Sequence, residues 1–327
     1  MPPADRRILL LTDPAMDLHS APGHPERPER LAAVAEGVAD AANASGATLL
    51  REMPPRADDD ALHRIHPPWH VDRLEEIAVA GGGWLDADTY LSRHSMDAAR
   101  LAAGATIRAA VAAASGEVAV AFAVVRPPGH HASEDRPGGF CLVNNVALAA
   151  ASLREQGIAQ RAAILDWDVH HGDGTQAIFD ADADLLYAST HQSPLYPGTG
   201  EAAERGMGAA EGTMHNVPLP PGAGDREFTS AWLDLLLPAV ERFRPGAILV
   251  SAGYDAHRAD PLAHLEVSEA GYGAVARAIG ALAARLGIAG VALTLEGGYE
   301  LPALRASAAA TVAGLLEGLD EKVASTA

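Results

Sequence analysis

Two carboxylates and an imidazole follow an apolar segment near the middle of the chain. Asp166, Asp168 and His170 are spaced two residues apart, directly after residues 161–165, which have the composition of a buried strand. In an extended chain these side chains share one face, where the carboxylates repel each other unless a cation lies between them. Asp oxygen and His nitrogen bind divalent metals, so the spacing predicts a metal site. The alternative, a polar loop at a strand end, leaves His171 and the glycines after it unexplained.

A pair of histidines follows a second apolar segment. Residues 117–125 predict a buried strand, and His130 and His131 come after it, behind a Pro-Pro-Gly sequence. Adjacent side chains on a regular strand point to opposite faces, whereas Pro-Pro-Gly makes the backbone irregular. We therefore expect the two imidazoles to share one site.

Two further apolar segments end in residues with reactive side chains. Residues 247–251 are followed by Asp255, and residues 291–295 are followed by Tyr299. Strands that alternate with helices form parallel sheets, which bind ligands beyond the carboxyl ends of their strands. The sequence therefore predicts an α/β fold with a mostly parallel sheet, in which four strand ends converge on one crevice.

Helical periodicity and turn residues predict the other elements. Further strands are predicted over 8–12 and 185–190, and helices over 28–44, 96–115, 144–156, 175–179, 227–243 and 268–286. No linker, repeat or change in composition divides the chain, which predicts a single domain of residues 1–327.

Two groups of polar residues are expected to have no part in the chemistry. From their spacing, Arg27 and Arg30 are expected to be surface charges. His63, His66 and His70 lie around two prolines that break the even helical spacing of a ligand set, so we expect these histidines to be structural or exposed.

Charge and cysteine content narrow the class of protein. The 327 residues include 24 basic and 43 acidic side chains, and the net charge of −19 argues against nucleic acid as a partner. Cys141 is the only cysteine, so a reducing cytoplasm is the expected location. No apolar run approaches the roughly 18 residues of a membrane helix, and the start of the chain is too short for a secretory signal. We expect a soluble protein with no membrane partner.

Taken as a set, these segments resemble the histone deacetylase superfamily. The motifs that carry the resemblance are HPERPER from His24, RPPGHH from Arg126, GGFC from Gly138, DWDVHHGDGT from Asp166, STH from Ser189, YPGTG from Tyr196, AGYDAH from Ala252 and EGGY from Glu296. The chain is most similar to class II deacetylases and to bacterial histone deacetylase-like amidohydrolases. The resemblance implies the arginase–deacetylase fold, a single-domain, three-layer α/β/α structure with the active site at the carboxyl ends of the strands. It also implies a zinc-dependent amidohydrolase that removes acetyl or related acyl groups from lysine-type side chains by metal-activated water.

The resemblance gives candidate roles to residues at the strand ends. Three residues correspond to the ligands of one catalytic Zn²⁺: Asp168, His170 and Asp255. Five residues correspond to catalytic groups: His130, His131, Asp166, Asp173 and Tyr299. In the family the tandem histidines act as general base and general acid, each backed by a carboxylate, and the tyrosine hydroxyl stabilises the oxyanion.

One of these positions departs from the class II pattern. Asp173 stands where class II members usually carry Asn. An anionic partner favours a protonated imidazole, so we assign the acid role to His131 and the base role to His130. Tyr299 stands where a weakly active subgroup carries His, which predicts an efficient deacetylase.

Other residues correspond to a substrate channel and to a monovalent-cation site. The predicted channel residues are Gly139 as a backbone acceptor, Phe140 and Tyr196 as aromatic walls, Leu262 near the rim and Asp88 as a rim carboxylate. The predicted potassium site takes side-chain oxygens from Asp166 and Ser189 and backbone carbonyls from Asp168, His170 and Thr190.

The closest alternative is an acetylpolyamine amidohydrolase of the same superfamily. Polyamine-specific members carry Glu where this chain has Leu262, which disfavours a charged amine at the rim. An arginase-like ureohydrolase would need ligands for two metals, whereas one clear trio is present. A non-catalytic binding module would be expected to lose Tyr299 or the histidine pair, and both are intact. The expected partner is an acetylated lysine-type side chain or a small acetylated amine, and the polyamine alternative also predicts a homo-oligomer that narrows the entrance.

Overall fold

Parallel strands form the centre of the protein. The computed structural model describes residues 6–321. Its strands are Arg7–Leu11 (β1), Thr48–Glu52 (β2), Gly82–Trp84 (β3), Tyr90–Ser92 (β4), Val120–Ala123 (β5), Ala162–Asp166 (β6), Leu185–Gln192 (β7), Met214–Leu219 (β8), Ala247–Ala252 (β9) and Val291–Leu295 (β10). Eight of them form one sheet in the order β2-β1-β5-β10-β9-β6-β7-β8, with every neighbouring pair parallel. β3 and β4 form a separate antiparallel hairpin.

Helices flank this sheet. They are Glu29–Ser45 (α1), Asp59–Leu62 (α2), Pro68–Val79 (α3), Ser95–Ala114 (α4), Asn145–Glu155 (α5), Asp173–Phe179 (α6), Asp225–Ser230 (α7), Leu237–Phe243 (α8), Glu269–Leu286 (α9) and Leu301–Asp320 (α10). α10 packs against α9 and α1, whereas α4 packs against α5. All residues of β5, β6, β7, β9 and β10 are buried, as expected for parallel strands that are covered on both faces. The predicted three-layer α/β/α arrangement is confirmed.

The carboxyl ends of four adjacent strands carry the predicted site. β5, β10, β9 and β6 are neighbours in the sheet. The histidine pair follows β5, Tyr299 follows β10, Asp255 follows β9, and the first two metal ligands follow β6. Parallel strands end at the same edge of a sheet, so these side chains are brought together from positions far apart in the sequence.

The chain turns at the metal ligands, where the two-residue spacing predicted an extended backbone. β6 ends at Asp166, and Asp168 and His170 lie in bends instead of on an extended strand face. Asp166 Oδ1 accepts a hydrogen bond from the Asp168 backbone N–H (3.1 Å), and Asp168 Oδ1 accepts one from the His170 N–H (2.9 Å). Asp side chains often bond the backbone two residues on in this way, which turns the chain. The side chains of Asp166, Asp168 and His170 do come together as expected, but two successive turns of the backbone bring them there.

Several other elements differ from the sequence-based expectations. β2 and β8 were not predicted, and both are edge strands with partly exposed residues; β8 also contains Pro218, which sheets tolerate at their edges. The helix expected over 227–243 consists of α7, a π-helical segment Ala231–Leu236, and α8. Within residues 6–321, no helix combines the length and apolar character that crossing a membrane requires.

Candidate active site

A cavity of about 510 Å³ lies at the carboxyl ends of the central strands. Its walls include residues from three of the strand ends: His130, His131, Asp168, His170 and Tyr299. Asp255, from the fourth strand end, is fully buried beside Asp168 and His170. The structure therefore brings the histidine pair, Tyr299 and two of the three predicted metal ligands to one cavity, with the third ligand directly beside them.

The three predicted metal ligands form a compact trio. One ligand atom from each of Asp168, His170 and Asp255 lies within 4.8 Å of the other two. His170 Nδ1 is 3.1 Å from Asp168 Oδ1 and 3.3 Å from Asp255 Oδ2. The other carboxylate oxygens are held by the backbone, because Val169 N donates to Asp255 Oδ1 (2.9 Å) and Gly297 N donates to Asp168 Oδ2 (2.7 Å). These contacts fix the two carboxylates around the imidazole.

The electrostatics of this trio suit a bound cation. Burial and the nearby charge of Asp168 raise the pKa of Asp255. Burial alone would lower the pKa of His170, but the two nearby carboxylates outweigh burial and raise this pKa to about 10. Asp255 Oδ2 is buried and has no hydrogen-bond partner in the described part of the chain. Two carboxylate oxygens and one imidazole nitrogen match a catalytic metal site with open positions, so the residues fit a divalent ion.

The end of β10 approaches the trio closely. A Cβ atom on Gly297 would collide with the carboxylates of both Asp168 and Asp255. Glycine at this position therefore lets the backbone N–H of residue 297 reach Asp168, and any larger residue would displace the ligands.

The histidine pair is oriented by two different carboxylates. His130 Nδ1 lies 3.0 Å from Asp166 Oδ2, and His131 Nδ1 lies 2.7 Å from Asp173 Oδ1. An ionised carboxylate only accepts hydrogen bonds, so each Nδ1 carries a proton and each Nε2 is the nitrogen left for chemistry. His130 Nε2 is 3.8 Å from Asp168 Oδ1, which places it next to the metal trio.

The surroundings of the two histidines shift their pKa values in opposite directions. Burial and the neighbouring His130 lower the pKa of His131 to about 4, and they outweigh the hydrogen bond to Asp173. For His130, burial would lower the pKa, but Asp166 and Asp168 outweigh it and raise the pKa well above the usual value. The side chains alone give His130 the stronger anionic surroundings, so the assignment of the acid role to His131 stays a prediction.

Tyr299 and Phe140 line the cavity together. Their ring centroids are 6.1 Å apart in an edge-to-face arrangement. Burial and the charge of Asp255 raise the pKa of Tyr299 well above its usual value, so the hydroxyl stays protonated and can donate a hydrogen bond. Tyr196 lines the same cavity, with 47% of its surface exposed and its ring 5.1 Å from that of His131.

The remaining predicted channel residues also line the cavity. Gly139 lies beside the His131 ring, and Leu262 is 37% exposed. The Asp88 side chain is half-buried in the β3–β4 loop, where burial and Asp86 raise its pKa. The cavity wall also includes residues that the sequence did not indicate, among them His24, Trp84 and Leu195.

The predicted potassium residues are buried or half-buried around the end of β6. Asp166 and Ser189 are partners in the register between β6 and β7. Ser189 Oγ is 2.9 Å from His191 Nδ1, and Thr190 Oγ1 accepts a hydrogen bond from Trp232 Nε1 (3.0 Å). The Thr190 hydroxyl thus already has a hydrogen-bond partner, which agrees with the expectation that only the backbone carbonyl of Thr190 would contact the potassium ion.

A buried ion cluster beneath the cavity was not predicted. Arg30 is fully buried, so the expectation of a surface position is wrong for it, whereas Arg27 is exposed as expected. Glu26 accepts hydrogen bonds from Arg30 Nη1 (2.7 Å) and from Arg126 Nε (2.8 Å) and Nη2 (2.6 Å). Arg30 Nε also donates to the carbonyl of Gly298 (2.6 Å). The four-residue spacing of Glu26 and Arg30 was a visible signal, but their partners are far away in the sequence.

Glu296 is a second buried group that the sequence did not single out. Its Oε2 accepts hydrogen bonds from the backbone N–H of Gly129 (2.7 Å) and of His130 (3.2 Å), and Ser251 Oγ donates to Oε1 (3.1 Å). This carboxylate therefore links the ends of β5, β9 and β10. His66 and His70 are buried and bonded to backbone groups, while His63 is exposed, as the structural interpretation expects.

Comparison with known proteins agrees with this geometry. The family model for the histone deacetylase domain matches residues 24–315. A probable deacetylase from Archaeoglobus fulgidus is 41% identical over 86% of this chain and 78% of its own length, and a histone deacetylase-like amidohydrolase from Pseudomonas aeruginosa is 38% identical over 86% and 73%. The crystal structure of the HDA15 HD domain superposes with a TM-score of 0.87 at 38% identity, covering 95% of this chain and 90% of that one. The chain belongs to the histone deacetylase family and is a hydrolase of the deacetylase class.

Proposed function

We propose that this chain is a zinc-dependent amidohydrolase that removes acetyl groups from lysine-type side-chain amides, with residues 1–327 as a single catalytic domain. The observation that carries the proposal is the trio Asp168, His170 and Asp255, packed against two carboxylate-backed histidines at a cavity that Tyr299 also lines. A metal-dependent hydrolysis needs an electrophile, a base, an acid and an oxyanion donor, and these groups supply each of them.

Zn²⁺ is the proposed metal. The trio would hold one ion per chain through two carboxylate oxygens and His170 Nδ1, with the two negative charges balancing the ion. When bound, Zn²⁺ polarises the amide carbonyl and acidifies a water molecule.

The histidines are proposed to move the protons. A cation in the trio offsets the field of Asp168 at His130, which favours the neutral His130 that a base requires. His130 Nε2 then takes the proton of the attacking water. Before that transfer, while His130 is neutral, it does not lower the pKa of His131, and the bond to Asp173 is opposed mainly by burial; a protonated His131 would then give its Nε2 proton to the leaving amine.

Tyr299 is proposed to stabilise the oxyanion. Its raised pKa keeps the hydroxyl protonated, so it can donate to the oxygen that gains charge in the transition state. The aromatic rings of Phe140 and Tyr196 are proposed to hold the aliphatic chain of the substrate, with Gly139 as a backbone acceptor. Asp88 at the mouth is proposed to accept a hydrogen bond from the substrate backbone.

A potassium ion is proposed to stabilise the site from behind. Asp166 and Ser189 would provide side-chain oxygens, and the backbone carbonyls of Asp168, His170 and Thr190 would complete the shell. Such an ion would support the turns that carry the metal ligands and would take no part in proton transfer.

The second candidate is an acetylpolyamine amidohydrolase. Asp86 and Asp88 lie close together in the β3–β4 loop and Asp88 lines the cavity, so the mouth has negative charge that would attract a cationic amine. Leu262 argues against this candidate, because no carboxylate stands at that position of the wall to bind an ammonium group. A homo-oligomer that narrows the entrance belongs to this candidate only.

Substrate comparison tests the proposal. We would measure kcat/KM of the zinc-loaded protein on an acetyl-lysine peptide and on N-acetylputrescine, with Leu262→Glu as the matched variant. The proposal predicts preference for the peptide, and a shift towards the amine in the variant. Preference of the unchanged protein for N-acetylputrescine would favour the polyamine candidate instead.

A further inference from the structure

Asp260 links two walls of the cavity through a single carboxylate. It lies in the loop between β9 and α9, five residues after Asp255, and is buried. Its Oδ2 accepts a hydrogen bond from the backbone N–H of Tyr299 (2.7 Å), and its Oδ1 accepts one from the backbone N–H of Leu262 (3.0 Å). Tyr299 and Leu262 both line the cavity, although they are 37 residues apart in the sequence.

The Tyr299 backbone needs an anchor of this kind. The two residues before it are Gly297 and Gly298, and Gly298 has a φ of +111°, a conformation that side chains disfavour. Asp168 holds the N–H of Gly297, and Arg30 holds the carbonyl of Gly298. Neither hydrogen bond reaches the backbone of residue 299, although the Arg30 guanidinium lies over the Tyr299 ring, 5.1 Å from its centre. The side chain that bonds the backbone of Tyr299 is Asp260.

The Leu262 wall depends on the same carboxylate. Leu262 is on a loop and is 37% exposed, so packing alone holds it weakly. The hydrogen bond from its N–H to Asp260 Oδ1 fixes its position relative to the buried side of the loop. The two acceptor oxygens of one carboxylate thereby fix the positions of both Tyr299, the candidate oxyanion donor, and Leu262, the candidate channel wall.

We infer that Asp260 is a positioning residue that fixes the position of the Tyr299 hydroxyl relative to Leu262 in the cavity wall. The inference rests on the proposed role of Tyr299. Asn at this position offers a single acceptor oxygen, so it satisfies one of the two N–H groups and leaves the other without a partner. The loss of one anchor displaces Tyr299 or Leu262, and a small misplacement of a catalytic group lowers the rate strongly.

A double-mutant cycle tests the inference. We would measure kcat and KM of the zinc-loaded full chain on an acetyl-lysine peptide for Asp260→Asn, Tyr299→Phe and the double variant. Asp260→Asn is expected to lower kcat about 10- to 100-fold, the usual range for outer residues that orient a metal site. In the Tyr299→Phe background the same change is expected to lower kcat by less than about threefold, because the hydroxyl that it positions is absent.

Each outcome of the cycle decides a separate point. Unchanged kcat in Asp260→Asn, or equal fold losses in both backgrounds, would overturn the positioning role while leaving the proposed function in place. Wild-type kcat in Tyr299→Phe would overturn both the oxyanion role and this inference. Zinc stoichiometry and thermal unfolding are expected to match wild type. If Asp260→Asn does not fold, Asp260→Glu replaces it under the same criteria, because its extra methylene moves both acceptor oxygens away from the two N–H groups.

Discussion

His131 Nδ1 lies 2.7 Å from Asp173 Oδ1, whereas His130 Nδ1 lies 3.0 Å from Asp166 Oδ2. Two adjacent residues thus pair with carboxylates from two different positions, one at the end of β6 and one at the start of α6. Each imidazole is therefore held in its orientation through its own Nδ1. Each Nε2 is left for proton transfer, which is the arrangement that a base and an acid in one site require.

Neutralising either carboxylate partner is expected to slow the reaction. Asp166→Asn and Asp173→Asn remove the charge that orients and supports each imidazole, and each is expected to lower kcat/KM about 10- to 100-fold. Steady-state kinetics on an acetyl-lysine peptide measure the effect. Asp180→Asn, at the end of α6, is the control and is expected to stay near wild type. Wild-type activity in Asp166→Asn and Asp173→Asn, or an equal loss in the control, would contradict the assignment.

Removing the Tyr299 hydroxyl is expected to affect the chemical step. Tyr299→Phe keeps the ring beside Phe140 but removes the donor, so kcat is expected to fall about 10²- to 10³-fold with little change in KM. Tyr272→Phe serves as the matched control, because the Tyr272 hydroxyl is buried without a hydrogen-bond partner among residues 6–321. An equal loss in both variants would show that the hydroxyl of Tyr299 has no special role.

The buried ion cluster is expected to be needed for stability. Glu26→Ala leaves the guanidinium groups of Arg30 and Arg126 without their shared carboxylate, and breaking such a pair from one side costs about 3–5 kcal/mol. Urea unfolding followed by circular dichroism measures the loss. Asp40→Asn removes an exposed partner of Arg305 and is expected to change the free energy of unfolding little. Similar losses in the two variants would contradict the prediction.

His19 lies beside the same cluster, with its Nε2 3.6 Å from Glu26 Oε2, and it predicts that stability falls in mild acid. Burial lowers the pKa of His19 to about 4, so the unfolded chain takes up a proton near pH 6.5 that the folded chain does not bind. The free energy of unfolding is therefore expected to decrease as pH falls from about 6.5 to about 4. The arginines outweigh burial and lower the pKa of Glu26 to about 2, so its contribution is lost at lower pH, from about 4.5 towards 2.

Urea unfolding at several pH values tests this dependence. His19→Asn keeps a polar group near Ser95 and removes the titrating imidazole. The variant is expected to lose less stability than wild type between pH 7 and pH 4.5. Identical pH dependence in the two proteins would mean that His19 is not responsible.

The sequence predicted those features that depend on local pattern. The buried strands β6, β9 and β10 follow from short apolar runs, and the site follows from the residues after them. The edge strands β2 and β8 were missed because each has one neighbour, so their residues are partly exposed and lack a continuous apolar run.

Contacts between distant segments were not predictable in the same way. Arg30 is buried because the carbonyls of Glu296 and Gly298, more than 260 residues away, accept its hydrogen bonds. The four-residue spacing from Glu26 sets Arg30 apart from the exposed Arg27, but the local HPERPER pattern does not show the distant partners that bury it. Asp260 and Glu296 were missed for the same reason, since their partners are backbone groups that only the folded sheet brings near.

The most direct test of the central claim is a zinc titration of activity. We would strip the protein with a chelator, add Zn²⁺ stepwise and measure acetate release from an acetyl-lysine peptide, for wild type and for Asp255→Asn. The account predicts that wild-type activity rises to a plateau at one zinc per chain and that Asp255→Asn gains little at that ratio. Full turnover by the stripped protein, or by Asp255→Asn at one equivalent, would contradict a metal centre built on Asp168, His170 and Asp255.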